Sequence, residues 1–327
     1  MKALVYTGPE AMEFRDAPDP VAGDGEALLK IDRVGICGSD MHGFLGHDDR
    51  RPAPLILGHE AAGTIVGGSR DGERVAVNPL VTCRRCRYCV NGLEHLCPKR
   101  QIISMPPREG AFAEWLTMPH GNFVAVPDDM PFAKAALAEP LAVCWHAAKL
   151  GLRVLGGDAE VALVFGGGAI GLGTALCLRA LGVEDVALIE PNEARRAFVE
   201  DRCGIMASAA ADGITDVDLV ADAVGYDATR AAATAAVRPG GAVVHIGLGH
   251  GAGGLDVRRM TLQEIAVVGS YCYTMAEFKE TVAAMSDGRL GALDWGEERA
   301  LADGFGAFQD IRAGRVAAPK IVLVPGG

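Results

Sequence analysis

One stretch of this chain admits very few folds: Val161-Ala162-Leu163-Val164-Phe165, then Gly166-Gly167-Gly168-Ala169-Ile170-Gly171. A continuous apolar, Val-rich run reads as a strand buried on both faces, and the glycines mark a tight turn into an Ala/Leu-rich helix. In that pattern Gly166 permits the turn, Gly168 lets the backbone approach a ligand, and Gly171 lets the helix pack closely. Gly167 reads as incidental. Further apolar runs at 185–190, 219–223, 242–248 and 265–269 alternate with helical segments. Continuous apolar strands covered by helices predict a doubly wound parallel sheet. A helix that starts after such a turn, here at Ala169 and Ile170, faces an anion, so a dinucleotide pyrophosphate is expected there. Glu190 ends the next strand, where a carboxylate can accept hydrogen bonds from both ribose hydroxyls; that favours NAD over NADP. Arg195 is also assigned to the cofactor, and with Arg196 it is the feature that argues for a phosphate. Its alternative is a solvated helix face beside Glu193 and Glu200.

Cys83, Cys86, Cys89 and Cys97 are separated by two, two and seven residues, a spacing that lets four thiolates close around one zinc ion. Upstream lie Cys37, in Gly-Ile-Cys-Gly-Ser-Asp, and His59-Glu60, in Leu-Gly-His-Glu. A mixed, incomplete set of S, N and O donors is what catalytic zinc uses. Arg84, Arg85, Arg87, Lys99 and Arg100 are expected to offset the thiolate charge. The other cysteines, Cys144, Cys177, Cys203 and Cys272, read as small buried hydrophobes.

At 327 residues the chain exceeds what one core usually serves, which predicts two domains. A net charge of -11 opposes docking on nucleic acid or an anionic membrane. No apolar run approaches the ~20 residues of a membrane span, and the start lacks the apolar core of a signal peptide. The odd, clustered cysteines suit a reducing compartment, so the chain reads as cytoplasmic. Short strands at 2–6, 27–34, 61–66 and 74–77, separated by Gly, Pro and Asp, predict a β-rich first domain. A helix over 133–150, carrying Glu139-Pro140, is expected to bridge to the second.

Taken in order, Cys37, Gly58-His59-Glu60, the four cysteines, Glu139-Pro140 and the glycine turn resemble the zinc-dependent medium-chain alcohol and polyol dehydrogenases, the sorbitol dehydrogenase-like group, nearly end to end. The resemblance implies an α/β protein: a β-rich GroES-like catalytic domain over 1–140, a Rossmann domain with the doubly wound parallel sheet over 141–274, and a segment over 275–327 that returns to the first. It implies two zinc ions per chain, one structural and one catalytic. The catalytic ion would take Cys37, His59 and a carboxylate, Glu60 or Glu139, leaving a position open for a substrate oxygen. Ser39 matches the family's relay hydroxyl and His42 the histidine that passes the proton to solvent; Asp40 would orient His59. Glu139-Pro140 is the polyol form of a position that is cysteine in many simple alcohol dehydrogenases. The implied reaction is hydride transfer between a secondary alcohol of a polyol, sugar acid or small diol and NAD, forming a ketone. Oxidation of simple alcohols, or a non-catalytic nucleotide-binding or redox-sensing role, are the alternatives. The family pattern also implies a homodimer or homotetramer built on the edge of the nucleotide sheet. Departures fall in loops: the chain is short between Gly63 and Arg74 and compact between His42 and Leu57. Arg258, Arg259 and His47 are the basic residues available for an anionic substrate group.

Overall fold

The computed structural model describes residues 1–326. Its first lobe is built on a seven-stranded sheet with Glu26–Gly35 near the centre, flanked by Glu60–Val66 on one side and Lys320–Val324 on the other. Ala27, Leu29 and Ile31 alternate into the core as a half-buried strand requires. Between Ile31 and Arg33 the pairing with Glu60–Val66 shifts by one residue, and burial passes to Val34. Such a bulge re-aims the next residues, here Gly35-Ile36-Cys37. Gly63 is required opposite it, because a Cβ there would lie 2.0 Å from the Lys30 carbonyl oxygen.

The second lobe holds a six-stranded parallel sheet in the spatial order Met206–Ser208, Asp185–Ile189, Val161–Phe165, Val217–Asp222, Val237–His245, Ala266–Gly269. The order reverses direction at Val161–Phe165, the switch point where open α/β sheets bind ligands. Both faces of that strand are buried: Ala162 and Val164 join the core under helices Ala138–Leu155 and Ala169–Ala180, and Leu163 and Phe165 join the one under Asp227–Ala236. This explains the unbroken apolar run.

The expected helix over 133–150 is two helices. Phe132–Ala135 is short, and Ala138–Leu155 runs on until Gly156 ends it in a left-handed conformation, φ 79°. Ala62 and Ala76 of the first lobe pack in the same core as Leu141, Ala142 and Trp145. The longer helix therefore belongs to both lobes. Pro239-Gly240-Gly241 lies within Val237–His245, where pairing skips between Val217 and Leu219. Helix Met275–Ser286 packs with Ala138–Leu155 through Phe278, Val282 and Met285. Strand Gly296–Ala300 then pairs in parallel with Lys320–Val324 in the first sheet.

Candidate active site

Glu190 and the glycine turn meet directly. Gly167 N–H donates to Glu190 Oε2 at 2.9 Å and Asn192 N–H to Oε1 at 2.8 Å. A Cβ on Gly167 would lie 2.9 Å from Glu190 Cγ, so this residue is not incidental; it admits the carboxylate. Gly166 has φ 101°. On Gly171 a Cβ would fall 1.7 Å from the Gly166 carbonyl oxygen, whereas on Gly168 it would meet nothing within 4 Å. Gly168 therefore opens onto free space at the start of helix Ala169–Ala180, whose first N–H groups take no side-chain cap. That is a cradle for an anion.

The space is a cavity of about 670 Å³ between the lobes. Gly166, Gly168, Ala169, Ile170, Gly171, Glu190 and Arg195 line it from the second lobe; Cys37, Met41 and Lys320 line it from the first. Arg195 is turned inward: Nη1 lies 3.9 Å from Glu190 Oε2 and Nη2 donates to Val316 O at 3.0 Å. Arg196 caps the carbonyls of Glu190 and Pro191. Asp222, at the end of its strand, accepts from Val224 N–H, Gly225 N–H and Thr229 Oγ1 and lies 3.2 Å from His245 Nδ1. It fixes the loop that closes the far end of the cavity.

On the first-lobe side, Cys37, His59 and Glu60 bring one donor atom each within 4.8 Å of one another. Asp40 organises them. Its carboxylate accepts Cys37 N–H at 3.0 Å and Gly58 N–H at 3.2 Å, and its Oδ1 lies 3.2 Å from His59 Nδ1. Nε2 of His59 is thereby directed at the cluster, with Ser39 Oγ 3.5 Å away. Burial opposes a charge on His59, but Asp40 outweighs it and raises the pKa well above the usual imidazole range. His42 is exposed on helix Gly38–Phe44.

Glu60 is fully buried. Its Oε1 accepts from Lys320 Nζ at 2.6 Å, and Lys320 also donates to Ile36 O at 2.9 Å. Its Oε2 has no partner. A buried carboxylate oxygen left unpaired is costly, and one oxygen of this carboxylate lies within 4.8 Å of the Cys37 thiol and the His59 imidazole. The donor set fits a zinc ion held by S, N and O. Glu139 stands outside that close group; its Oε1 accepts from Tyr273 OH at 2.9 Å. Burial, with the Glu60 carboxylate, pushes Glu139 up to about 7. The role of Lys320 was not visible in sequence, since 260 residues separate it from Glu60.

Cys83, Cys86, Cys89 and Cys97 also converge within 4.8 Å. Backbone N–H groups of Arg85 and Cys86 outweigh burial and hold the Cys83 thiol down to about 6. The neighbouring basic residues form no ion pair among the described residues. Arg259 and Arg258 do not reach the cleft: Arg259 donates to the carbonyls of Thr234, Ala235 and Val237, and Arg258 is exposed. Cys272, which in sequence reads only as a small buried hydrophobe, lies within electrostatic reach of His59 and Glu139.

Residues 23–128 match the alcohol dehydrogenase GroES-like domain and residues 169–287 the zinc-binding dehydrogenase domain. A probable diacetyl reductase [(R)-acetoin forming] of Saccharomyces cerevisiae is 32% identical, covering 89% of this chain and 81% of that one. L-Galactonate-5-dehydrogenase of Escherichia coli is 32% identical, covering 89% of each. The chain belongs to the zinc-dependent medium-chain alcohol and polyol dehydrogenases. It is an NAD(P)-linked oxidoreductase with the GroES-like and Rossmann-like domains of that family. An Escherichia coli oxidoreductase/dehydrogenase of unknown specificity has the same fold, with TM-score 0.90 at 28% identity over 100% of this chain and 99% of that one. No helix of the described residues is long and apolar enough to cross a membrane.

Proposed function

We propose that the enzyme oxidises a secondary hydroxyl of a polyol, sugar acid or small diol to a ketone, with NAD as hydride acceptor and two zinc ions per chain. The observation that carries this reading is the buried Glu60 carboxylate, one oxygen of it unpaired, with a donor atom within 4.8 Å of those of Cys37 and His59, beside a cleft that Cys37 shares with the glycine turn. Cys37 and His59 hold the catalytic zinc, with Glu60 or Glu139 as the carboxylate; the four cysteines hold the structural one. Bound zinc supplies Lewis acidity that favours loss of the hydroxyl proton. The chain does the rest. Asp40 fixes the His59 ring, Lys320 balances the Glu60 charge, and Ser39 stands 3.5 Å from His59 Nε2, positioned to accept the substrate proton and pass it towards His42.

Glu190 supports NAD over NADP, because a ribose 2'-phosphate would meet its carboxylate. Arg195 lies close enough to lessen that repulsion without replacing the carboxylate. The relatives named for L-galactonate and for acetoin formation support a sugar acid or small diol. Glu139-Pro140 weighs against simple alcohols. All nine cysteines are free among the described residues, which suits the cytoplasm. The edge strand Ala266–Gly269 suits assembly into a dimer or tetramer.

The test is zinc content per chain for wild type and Cys37→Ser, followed by NAD-linked turnover on a panel of polyols, sugar acids and diols. The expected result is two zinc ions falling to one, matching the two donor clusters, with loss of turnover. Equal zinc in both proteins, or turnover of short monoalcohols alone, would overturn the reading.

A further inference from the structure

Resting on the proposed polyol and sugar-acid oxidation, the charge of the substrate can be addressed from one arginine. We propose that Arg100 is a specificity-determining residue that binds the carboxylate of a sugar-acid substrate.

Residues 271–273 connect Arg100 to the catalytic cluster. Tyr273 OH donates to Glu139 Oε1 at 2.9 Å, and two residues earlier Tyr271 OH accepts from Arg100 Nε at 3.3 Å. The guanidinium also lies over the Tyr271 ring, 5.0 Å from its centroid. Cys272 between them has φ 49°, a left-handed backbone that a residue with a side chain adopts only where its surroundings enforce it.

The guanidinium is held in place by the cysteine lobe and Tyr271, without a carboxylate partner among the described residues. Nη1 donates to Cys97 O at 3.0 Å, a neutral acceptor like Tyr271 OH, and Nη2 takes no protein partner among the described residues. Arg100 is half-buried and forms no ion pair there. Carboxylates on the surrounding elements are already engaged. Glu94 accepts Met275 N–H, Glu277 accepts from Thr274 and lies 2.9 Å from His146 Nδ1, and Asp48 pairs with Arg50 and Arg51. A fixed arginine without a carboxylate partner, linked through Tyr271 and Tyr273 to Glu139, suits a substrate that brings its own carboxylate. A sugar acid does so, with its secondary hydroxyls several carbons away.

The experiment compares zinc-loaded wild type, Arg100→Gln and Arg100→Lys with NAD on galactonate and idonate, on the neutral polyols galactitol and sorbitol, and on galactitol 1-phosphate. Losing a charge-assisted hydrogen bond should lower the acid-to-neutral ratio of kcat/KM in Arg100→Gln by roughly 10- to 100-fold. The change should appear in KM for the acids, with Arg100→Lys intermediate. Added salt should depress kcat/KM for the acids in wild type and lose that effect in Arg100→Gln. Equal losses on acidic and neutral substrates would assign Arg100 to the cysteine lobe instead and overturn the proposal, as would an unchanged ratio. Preference of wild type for the phosphate ester, abolished in Arg100→Gln, would overturn the carboxylate assignment. Turnover of neutral polyols without acids would sink this inference alone; turnover of neither would sink the proposed function with it.

Discussion

Lys320 and Glu60 form the most deeply buried ion pair at the site, with side chains 3% and 0% exposed. Two charges in so dry a place are stable only together, and removing one strands the other. Lys320→Met should therefore destabilise the metal-free protein by about 3–5 kcal/mol, read as a lower urea midpoint with an unchanged m-value. A change within error would mean that Glu60 is not held as a carboxylate by this lysine. Local sequence reached Cys37, His59 and Glu60 because each sits in a short, recognisable string. It could not reach Lys320, whose partner is fixed by strand pairing between Lys320–Val324 and Glu26–Gly35. Nor could it assign Gly167, whose need for a bare Cα arises only once Glu190 folds against it.

Helix Met275–Ser286 shows how an element end can carry pH dependence. Thr274 Oγ1 accepts Glu277 N–H, and Glu277 accepts Thr274 N–H in return, a capping box. Burial opposes ionisation of Glu277, but the hydrogen bonds from His146 and Thr274 outweigh it and hold the carboxyl at about 2. The folded pKa is below the usual 4.5, so this group's stabilisation is fully present above pH 4.5 and is lost as pH falls towards 2. Glu277→Gln should flatten the stability profile in that window, measured by urea melts at successive pH values. A profile identical to wild type would show that Glu277 titrates normally. His146 also meets the His95 ring edge-on at 4.9 Å, joining this cap to the cysteine lobe. At this scale the central parallel strands were legible, because burial on both faces leaves only apolar residues. Met206–Ser208 and Gly296–Ala300 were not, being short, partly exposed and without alternation.

Across the whole molecule, the cleft takes its nucleotide wall from one lobe and its sulfur, nitrogen and carboxylate donors from the other. The shared helix Ala138–Leu155 holds the two walls in register. The order of motifs along the chain made this division readable. The depth of sharing was not, since Ala62 and Ala76 look like ordinary strand residues until the helix packs on them. Assembly through the open edge beyond Ala266–Gly269 should give a light-scattering mass at least twice the 34.1 kDa chain. A single-chain mass would remove that edge as an interface.

The pairing of Lys320 with Glu60 also imposes an order on biosynthesis. The four cysteines lie within 15 residues, from Cys83 to Cys97, and can gather as soon as that stretch leaves the ribosome. Glu60 must wait for a lysine made 260 residues later, which at a translation speed of roughly 5–20 residues per second is a delay on the order of 10–50 s. One donor cluster can be gathered early in translation. The other stays electrically incomplete until the polypeptide is nearly made, so under the proposed two-zinc reading the structural ion would be taken up before the catalytic one.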